Sequence, residues 1–146
     1  MRPGLGQISM SEETAYNLVR QLPGMTKRPD HGLQDYFYGA QNQKIEAKYS
    51  NPRQIRYSVG YAHQYSWGDI AARDFNWLLL IGEDESKGKL DFWLLAALTA
   101  RNRLMTRSCT ITFTLYALAR RPKGQFMESC RMDYKTLYAR CESGEL

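Results

Sequence analysis

Residues 44–50 read KIEAKYS, and this short run carries most of what the sequence predicts about fold and function. It predicts a β-strand, in which side chains alternate between the two faces. Glu46 and Lys48 would therefore share one face, while Ile45 and Ala47 would share the other. An acidic residue held beside a lysine on one face of a strand indicates a functional pair.

A further carboxylate precedes the neighbouring aromatic run. Asp35 stands directly before residues 36–38, which read YFY and predict a second strand. Two carboxylates and a lysine on adjacent strands can hold a hard divalent cation and place a positive charge beside it. This combination is suited to hydrolysis of a phosphodiester.

The same acidic-x-Lys pattern occurs twice more, at Glu85 and at Asp133. About one such match is expected by chance in a chain of this charged composition. Glu85 lies in a polar, glycine-bounded stretch that predicts a solvated turn. Asp133 lies among apolar residues at helical spacing. Only Glu46 combines a strand pattern with an acidic residue on the preceding strand.

With these residues the chain resembles the PD-(D/E)-x-K nuclease superfamily, whose typical order is helix, strand, strand with Asp, strand with Glu-x-Lys, helix and buried strand. Residues 11–22 predict the first helix, and residues 75–82 supply the apolar run of the buried strand. One departure concerns the Pro-Asp pair, because Gln34 precedes Asp35. Pro29-Asp30 stands a few residues earlier, so the first metal ligand is left open between two aspartates.

The resemblance implies an α/β fold, a restriction-endonuclease-like three-layer α/β/α core with a central mixed β-sheet. It implies a nuclease with Asp35, Glu46 and Lys48 as catalytic residues and Mg²⁺ as cofactor, with Mn²⁺ as a substitute. The Ala47 carbonyl and a glutamate of the first helix would complete the metal ligands. Glu13 is the chosen glutamate, although Glu12 could serve and either could simply favour the helix dipole.

The charge balance favours a polyanionic partner. The chain has 146 residues, a net charge of +5 and a pI near 9.2, and cations that neutralise phosphates release counterions. Nucleic acid, with DNA as the first choice, would contact Arg53, Arg56, Ser50 and His63. A homodimer is expected only because the resemblance implies one.

Other classes of protein fit the sequence poorly. No apolar run is long enough to span a membrane, and the first residues lack the apolar core of a signal peptide, so a cytoplasmic location is expected. The three cysteines form no Cys-x-x-Cys pair and only two histidines are present, which argues against a zinc site.

The remaining elements predict a single domain over residues 1–146, with residues 1–10 as candidates for disorder. Residues 53–67 fit a helix, strands or both, and residues 90–95 fit a strand or the start of a helix. Residues 110–116 alternate threonine with apolar residues and predict a half-buried strand. Residues 127–141 predict one final amphipathic helix.

Three other functions remain open beside the nuclease. The first is a nucleic-acid-binding domain of the same fold without cleavage. The second is a small basic protein-interaction factor, in which Glu46 and Lys48 form only a surface ion pair. The third and least supported is a metal-independent ribonuclease, which would need a histidine or tyrosine–arginine arrangement that the sequence does not show.

Overall fold

The computed structural model describes residues 10–28, 35–51, 53–57, 60–68, 70, 75–84, 89–103, 111–116 and 125–146. These residues form helices and strands in a mixed order. The helices are α1 (Met10–Arg20), α2 (Ala97–Arg103), α3 (Gln125–Cys130) and α4 (Tyr134–Glu142). The strands are β1 (Met25–Lys27), β2 (Asp35–Tyr38), β3 (Gln43–Ser50), β4 (Arg53–Tyr57), β5 (Gly60–Trp67), β6 (Trp77–Asp84), β7 (Lys89–Ala96) and β8 (Ile111–Tyr116).

The main sheet has five strands in the order β1-β2-β3-β6-β7. Its neighbours pair antiparallel except for β3 and β6, which are parallel. The sheet is therefore mixed, and the α/β class expected from the sequence is confirmed. The predicted buried strand is also confirmed, because β6 lies between β3 and β7 and its residues Leu78–Ile81 are at most 1% exposed.

A smaller sheet has three antiparallel strands in the order β4-β5-β8. Its first two strands occupy residues 53–67, which the sequence left open between helix and strand. In the described residues, this hairpin stands between β3 and β6, where the resemblance implies a helix. The connection between the parallel strands β3 and β6 thus runs through strands of a second sheet.

Each face of the main sheet has an apolar part that is covered. The first face, which carries Ala47 and Leu79, packs against α1 and α4. The second face, which carries Glu46 and Leu78, packs its apolar part against β5, α2 and α3. Alternation along the strands explains the division, since neighbouring residues of β3 and β6 enter opposite layers.

Helix α1 confirms the prediction from the sequence to within two residues at its C-terminal end. Its apolar stripe includes Ala15 and Val19, both fully buried against the first face. The helix ends before Gly24, whose φ of 79° is a conformation that glycine adopts without strain. Met10 belongs to this helix, and residues 1–9 of the segment considered for disorder lie outside the described residues.

The prediction of one final helix over residues 127–141 is wrong. Helix α3 packs on the second face through Met127, and α4 packs on the first face through Leu137 and Cys141. Between them the chain passes the edge of β7, where Met132 and Phe92 exchange backbone hydrogen bonds of 2.8 and 2.9 Å. Asp133 then caps α4 by accepting a bond from the Thr136 amide. One straight helix could not reach both faces.

Two more expectations have clear outcomes. Residues 90–95 belong to strand β7, and a strand is present within the expected range 110–116 as β8, whose side-chain burial lies outside what the structure describes. Among the residues that the structure describes, no helix is long and apolar enough to cross a membrane.

Candidate active site

Asp35 and Glu46 lie directly opposite each other on β2 and β3. The Asp35 carbonyl accepts a hydrogen bond from the Arg28 amide on the β1 side. The backbone hydrogen-bonding groups of Asp35 therefore point away from β3. The pair is therefore of the closely spaced type, with the two Cα atoms about 4.5 Å apart and side chains on one face. The sequence prediction that these carboxylates meet on neighbouring strands agrees with this register.

Lys48 completes the cluster on the same face. Its Nζ lies 3.5 Å from Oε2 of Glu46, and both side chains are largely shielded, at 14% and 10% exposure. Their neighbours in parallel register on β6 are Leu78 and Leu80, which are fully buried. An apolar neighbour lowers the local dielectric and strengthens each charge interaction relative to a surface ion pair.

The residues present provide ligands suited to a Mg²⁺ ion that retains several of its coordinated waters. Mg²⁺ is commonly bound by one or two carboxylates together with phosphate oxygens, and Asp35 and Glu46 provide two carboxylates from cross-strand partners. Ala47 stands between Glu46 and Lys48 in β3, with its methyl group buried on the first face. In the described part of the chain, no group of three or more His, Cys, Asp and Glu side chains is arranged to hold a metal.

The structure does not bring Glu13 to this cluster. Glu13 is exposed on α1, and α1 packs on the first face, opposite Glu46 and Lys48. Glu12 is engaged elsewhere, since it hydrogen-bonds the phenol of Tyr16. Burial, followed by the charge of Glu12, raises the pKa of Tyr16 far above its usual value.

Ser50 lies on the second face, two residues beyond Lys48, and its side chain is buried at 8% exposure. The hydroxyl donates to the Asn51 carbonyl and accepts from the Ser66 amide, both at 3.1 Å. The bond from Ser66 ties β3 to β5. Ser50 therefore has a structural role in this conformation, beside the phosphate contact expected from the sequence.

Three other predicted contacts lie in the second sheet. Arg53 and Arg56 belong to β4, and His63 belongs to β5, where it pairs with Gln54. Their side chains lie outside the described residues, as do Pro29-Asp30 and Glu85.

Two residues on the face that carries Asp35 were assigned no site role from the sequence. Phe37 is two positions along β2, and Arg28 extends β1 beside Asp35. The Arg28 guanidinium carbon lies 5.2 Å from the centroid of the Phe37 ring. Strand alternation could have identified Phe37, because side chains two positions apart lie on the same face once residues 35–38 are taken as a strand.

An aromatic cluster that the sequence also left unassigned fixes β5 over the second face. The ring of Tyr65 stacks on Trp67 with centroids 5.6 Å apart and meets Trp93 at 5.4 Å. Trp67 donates to the Ile81 carbonyl at 2.9 Å, and Tyr65 donates to the Glu83 carbonyl at 3.2 Å. These contacts anchor the small sheet to β6, next to the strand that carries the candidate site.

Comparison of the chain with protein-family models, with curated proteins and with solved structures finds no significant match.

Proposed function

We propose that this protein is a metal-dependent nuclease that hydrolyses phosphodiester bonds, with DNA as the expected substrate. One observation carries the proposal. Asp35 and Glu46 are cross-strand partners, and Lys48 lies on the same face within 3.5 Å of Glu46. A surface ion pair does not require a second carboxylate beside it or burial to this degree, whereas a phosphodiesterase site uses both.

The side chains of the cluster have distinct roles in this proposal. Asp35 and Glu46 hold the cation, with the Ala47 carbonyl as a further ligand by the resemblance. A bound Mg²⁺ or Mn²⁺ would polarise the phosphate and lower the pKa of an attacking water. Lys48 stabilises the negative charge that develops on the phosphate oxygens, and Glu46 keeps the ammonium in position.

The order of elements supports the same proposal. A helix, a strand, a strand that carries Asp35 and a strand that carries Glu46 and Lys48 follow one another, and β6 then pairs parallel to β3. This order resembles the PD-(D/E)-x-K arrangement, with the β4–β5 hairpin standing, among the described residues, where that arrangement has a helix. We infer a restriction-endonuclease-like core in which strands form part of one outer layer, and a homodimer remains part of the proposal by resemblance.

Cleavage assays on circular plasmid and on labelled single- and double-stranded oligonucleotides, with Mg²⁺, Mn²⁺ or EDTA, test the proposal. The informative variants are Asp35→Asn and Lys48→Ala. The acidic-x-Lys pattern at Asp133 offers a matched control, because its Lys135 is exposed on α4. Lys135→Ala removes the same side chain from α4, which packs on the first face, opposite Glu46 and Lys48.

We expect wild-type cleavage to require metal and to fall about 100- to 1,000-fold in Lys48→Ala, the usual loss when a group that stabilises transition-state charge is removed. Asp35→Asn should lose activity to a similar extent, and Lys135→Ala should cleave like the wild type. Circular dichroism confirms that each variant is folded. Absence of cleavage on every substrate, or equal cleavage by Lys48→Ala, refutes the nuclease proposal. Salt-dependent binding without cleavage would then indicate a non-catalytic nucleic-acid-binding domain.

A further inference from the structure

Beside the two carboxylates, toward β1, the second face of the main sheet carries aromatic and basic residues. Phe37 lies opposite Lys44 on β3, and Arg28 lies beside Asp35 on the β1 side. The second face therefore presents one aromatic ring between two cations. We call Arg28, Phe37 and Lys44 the basic–aromatic patch.

Phe37 differs from its neighbours in how it is packed. Tyr36 and Tyr38, on the first face, are 0% and 5% exposed and belong to the apolar core. Phe37 is half-buried and belongs to neither apolar cluster of the described residues. Packing of the core thus does not account for an aromatic side chain at this position.

The cations around the ring suit a polyanion. The Arg28 guanidinium lies 5.2 Å from the ring centroid, within the range of a cation–π contact. Lys44 is exposed, and its backbone amide is fixed by the Asn76 side chain at 2.8 Å. An aromatic ring with a guanidinium over it and an exposed lysine on the neighbouring strand provide planar groups that can stack a base and cations that can contact its phosphates.

We propose that the basic–aromatic patch binds a single-stranded segment of nucleic acid, with one base stacked at Phe37 and phosphates held by Arg28 and Lys44. Paired bases in a duplex stack on each other, whereas an unpaired base offers its face to a side chain. Phe37 stands two residues from Asp35, roughly 7 Å along the strand. A nucleotide at the patch thus places its neighbour at the carboxylates.

This inference rests on the proposed function for its orientation, since it treats the bound strand as the substrate of the Asp35–Glu46 cluster. Its binding part can be measured by itself. Fluorescence anisotropy in EDTA, where metal-dependent cleavage is absent, reports the affinity for labelled single-stranded DNA, single-stranded RNA and duplex DNA of the same sequence.

Phe37→Leu keeps an apolar side chain but removes the aromatic face, and Phe37→Tyr restores the ring. We expect Phe37→Leu to weaken binding of the single strand roughly 5- to 150-fold, the effect of losing one stacked base, with Phe37→Tyr close to wild type. Duplex binding should stay within about twofold. Lys44→Ala should reduce the salt slope for single strands by about 0.7.

Tyr138→Leu is the matched aromatic control, because Tyr138 is 39% exposed on α4, on the other side of the sheet. It should bind like the wild type. Equal affinity of Phe37→Leu and wild type for both single strands overturns the inference. So does an equal loss of single-strand and duplex binding, or a failure of Phe37→Tyr to restore affinity.

The two proposals fail in different ways. Phe37-dependent binding of single strands without any cleavage would support the patch and refute the nuclease. Metal-dependent cleavage that Phe37→Leu leaves unchanged, with unchanged binding, would support the nuclease and refute the patch. The DNA and RNA arms decide which single strand is preferred.

Discussion

Gly82 occupies a position in β6 where a larger side chain should destabilise the protein. A Cβ at this position would lie 2.6 Å from Cε1 of Tyr65 and 2.8 Å from its Cδ1, with Cζ3 of Trp93 at 3.1 Å. Contacts this short require movement of a neighbour. Gly82→Ala therefore tests whether the Tyr65 ring is fixed over the second face.

The ring has little room to move. Its hydroxyl donates to the Glu83 carbonyl at 3.2 Å, and the ring contacts both Trp67 and Trp93, at centroid distances of 5.6 and 5.4 Å. Tyr65 is 1% exposed. We therefore place the cost in the upper part of the overpacking range, about 2–3 kcal/mol.

Alanine partly offsets this cost. Replacing glycine within a strand reduces the conformational freedom of the unfolded chain and contributes about 0.5–1 kcal/mol of stability. The net loss in the free energy of unfolding is then about 1–2.5 kcal/mol. For a chain of this size, that corresponds to a fall in Tm of about 2–10 °C.

Urea denaturation followed by far-UV circular dichroism measures the change. Tyr65→Leu, which removes the ring atoms that clash, provides the second variant of a double-mutant cycle. In that background Gly82→Ala should cost less than about 0.5 kcal/mol, because leucine leaves space for the methyl group. A Gly82→Ala protein as stable as wild type, or the same loss in both backgrounds, would refute the reasoning.

Two further predictions concern buried hydroxyl and thiol groups. Burial raises the pKa of Tyr36 to about 12 and that of Cys141 to about 11. Both groups hold their protons more tightly when folded, so their contribution is fully present below about pH 9 and is lost as the pH rises toward 12. The urea midpoint should fall over this interval, and a constant midpoint would contradict the assignment. The Tyr38 hydroxyl donates to the Cys141 carbonyl at 2.7 Å, so Tyr38→Phe should cost about 0.5–1.5 kcal/mol. Tyr138→Phe, on the exposed side of α4, is the control, and equal stability of the two variants would argue against the bond.

The main elements around the candidate site could be predicted from local patterns. Alternation within residues 44–50 defined β3 and the shared face of Glu46 and Lys48, and the apolar run before Gly82 defined β6. The pairing of Asp35 with Glu46 is also encoded locally, because the four residues after Tyr38 form a short hairpin loop. Gly39 and Asn42 adopt positive φ there, at 75° and 52°, and a short loop sets the register of its strands.

Other features depend on contacts between distant residues. The tyrosine-rich run over residues 53–67 has no clean period, and its second strand, β5, pairs with β8 about fifty positions later. The break between α3 and α4 is invisible in the spacing of Met127, Leu137 and Cys141. It arises because Met132 pairs with Phe92, forty residues away. Sequence periodicity reports which residues are apolar together, but it does not report which layer each one joins.

The bridge between Met132 and Phe92 has a consequence for self-association. In the part of the chain that the structure describes, β7 forms one edge of the main sheet and is eight residues long, and several of its residues are apolar. An open edge of this kind offers unpaired amides and carbonyls to the strands of other molecules. The crossing of the C-terminal segment occupies both hydrogen-bonding groups of Phe92, and Arg131 forms an ion pair with Asp91 beside it at 3.5 Å. The segment that joins α3 and α4 thus covers the β7 edge at Phe92 and shortens the stretch that is open to pairing with another chain.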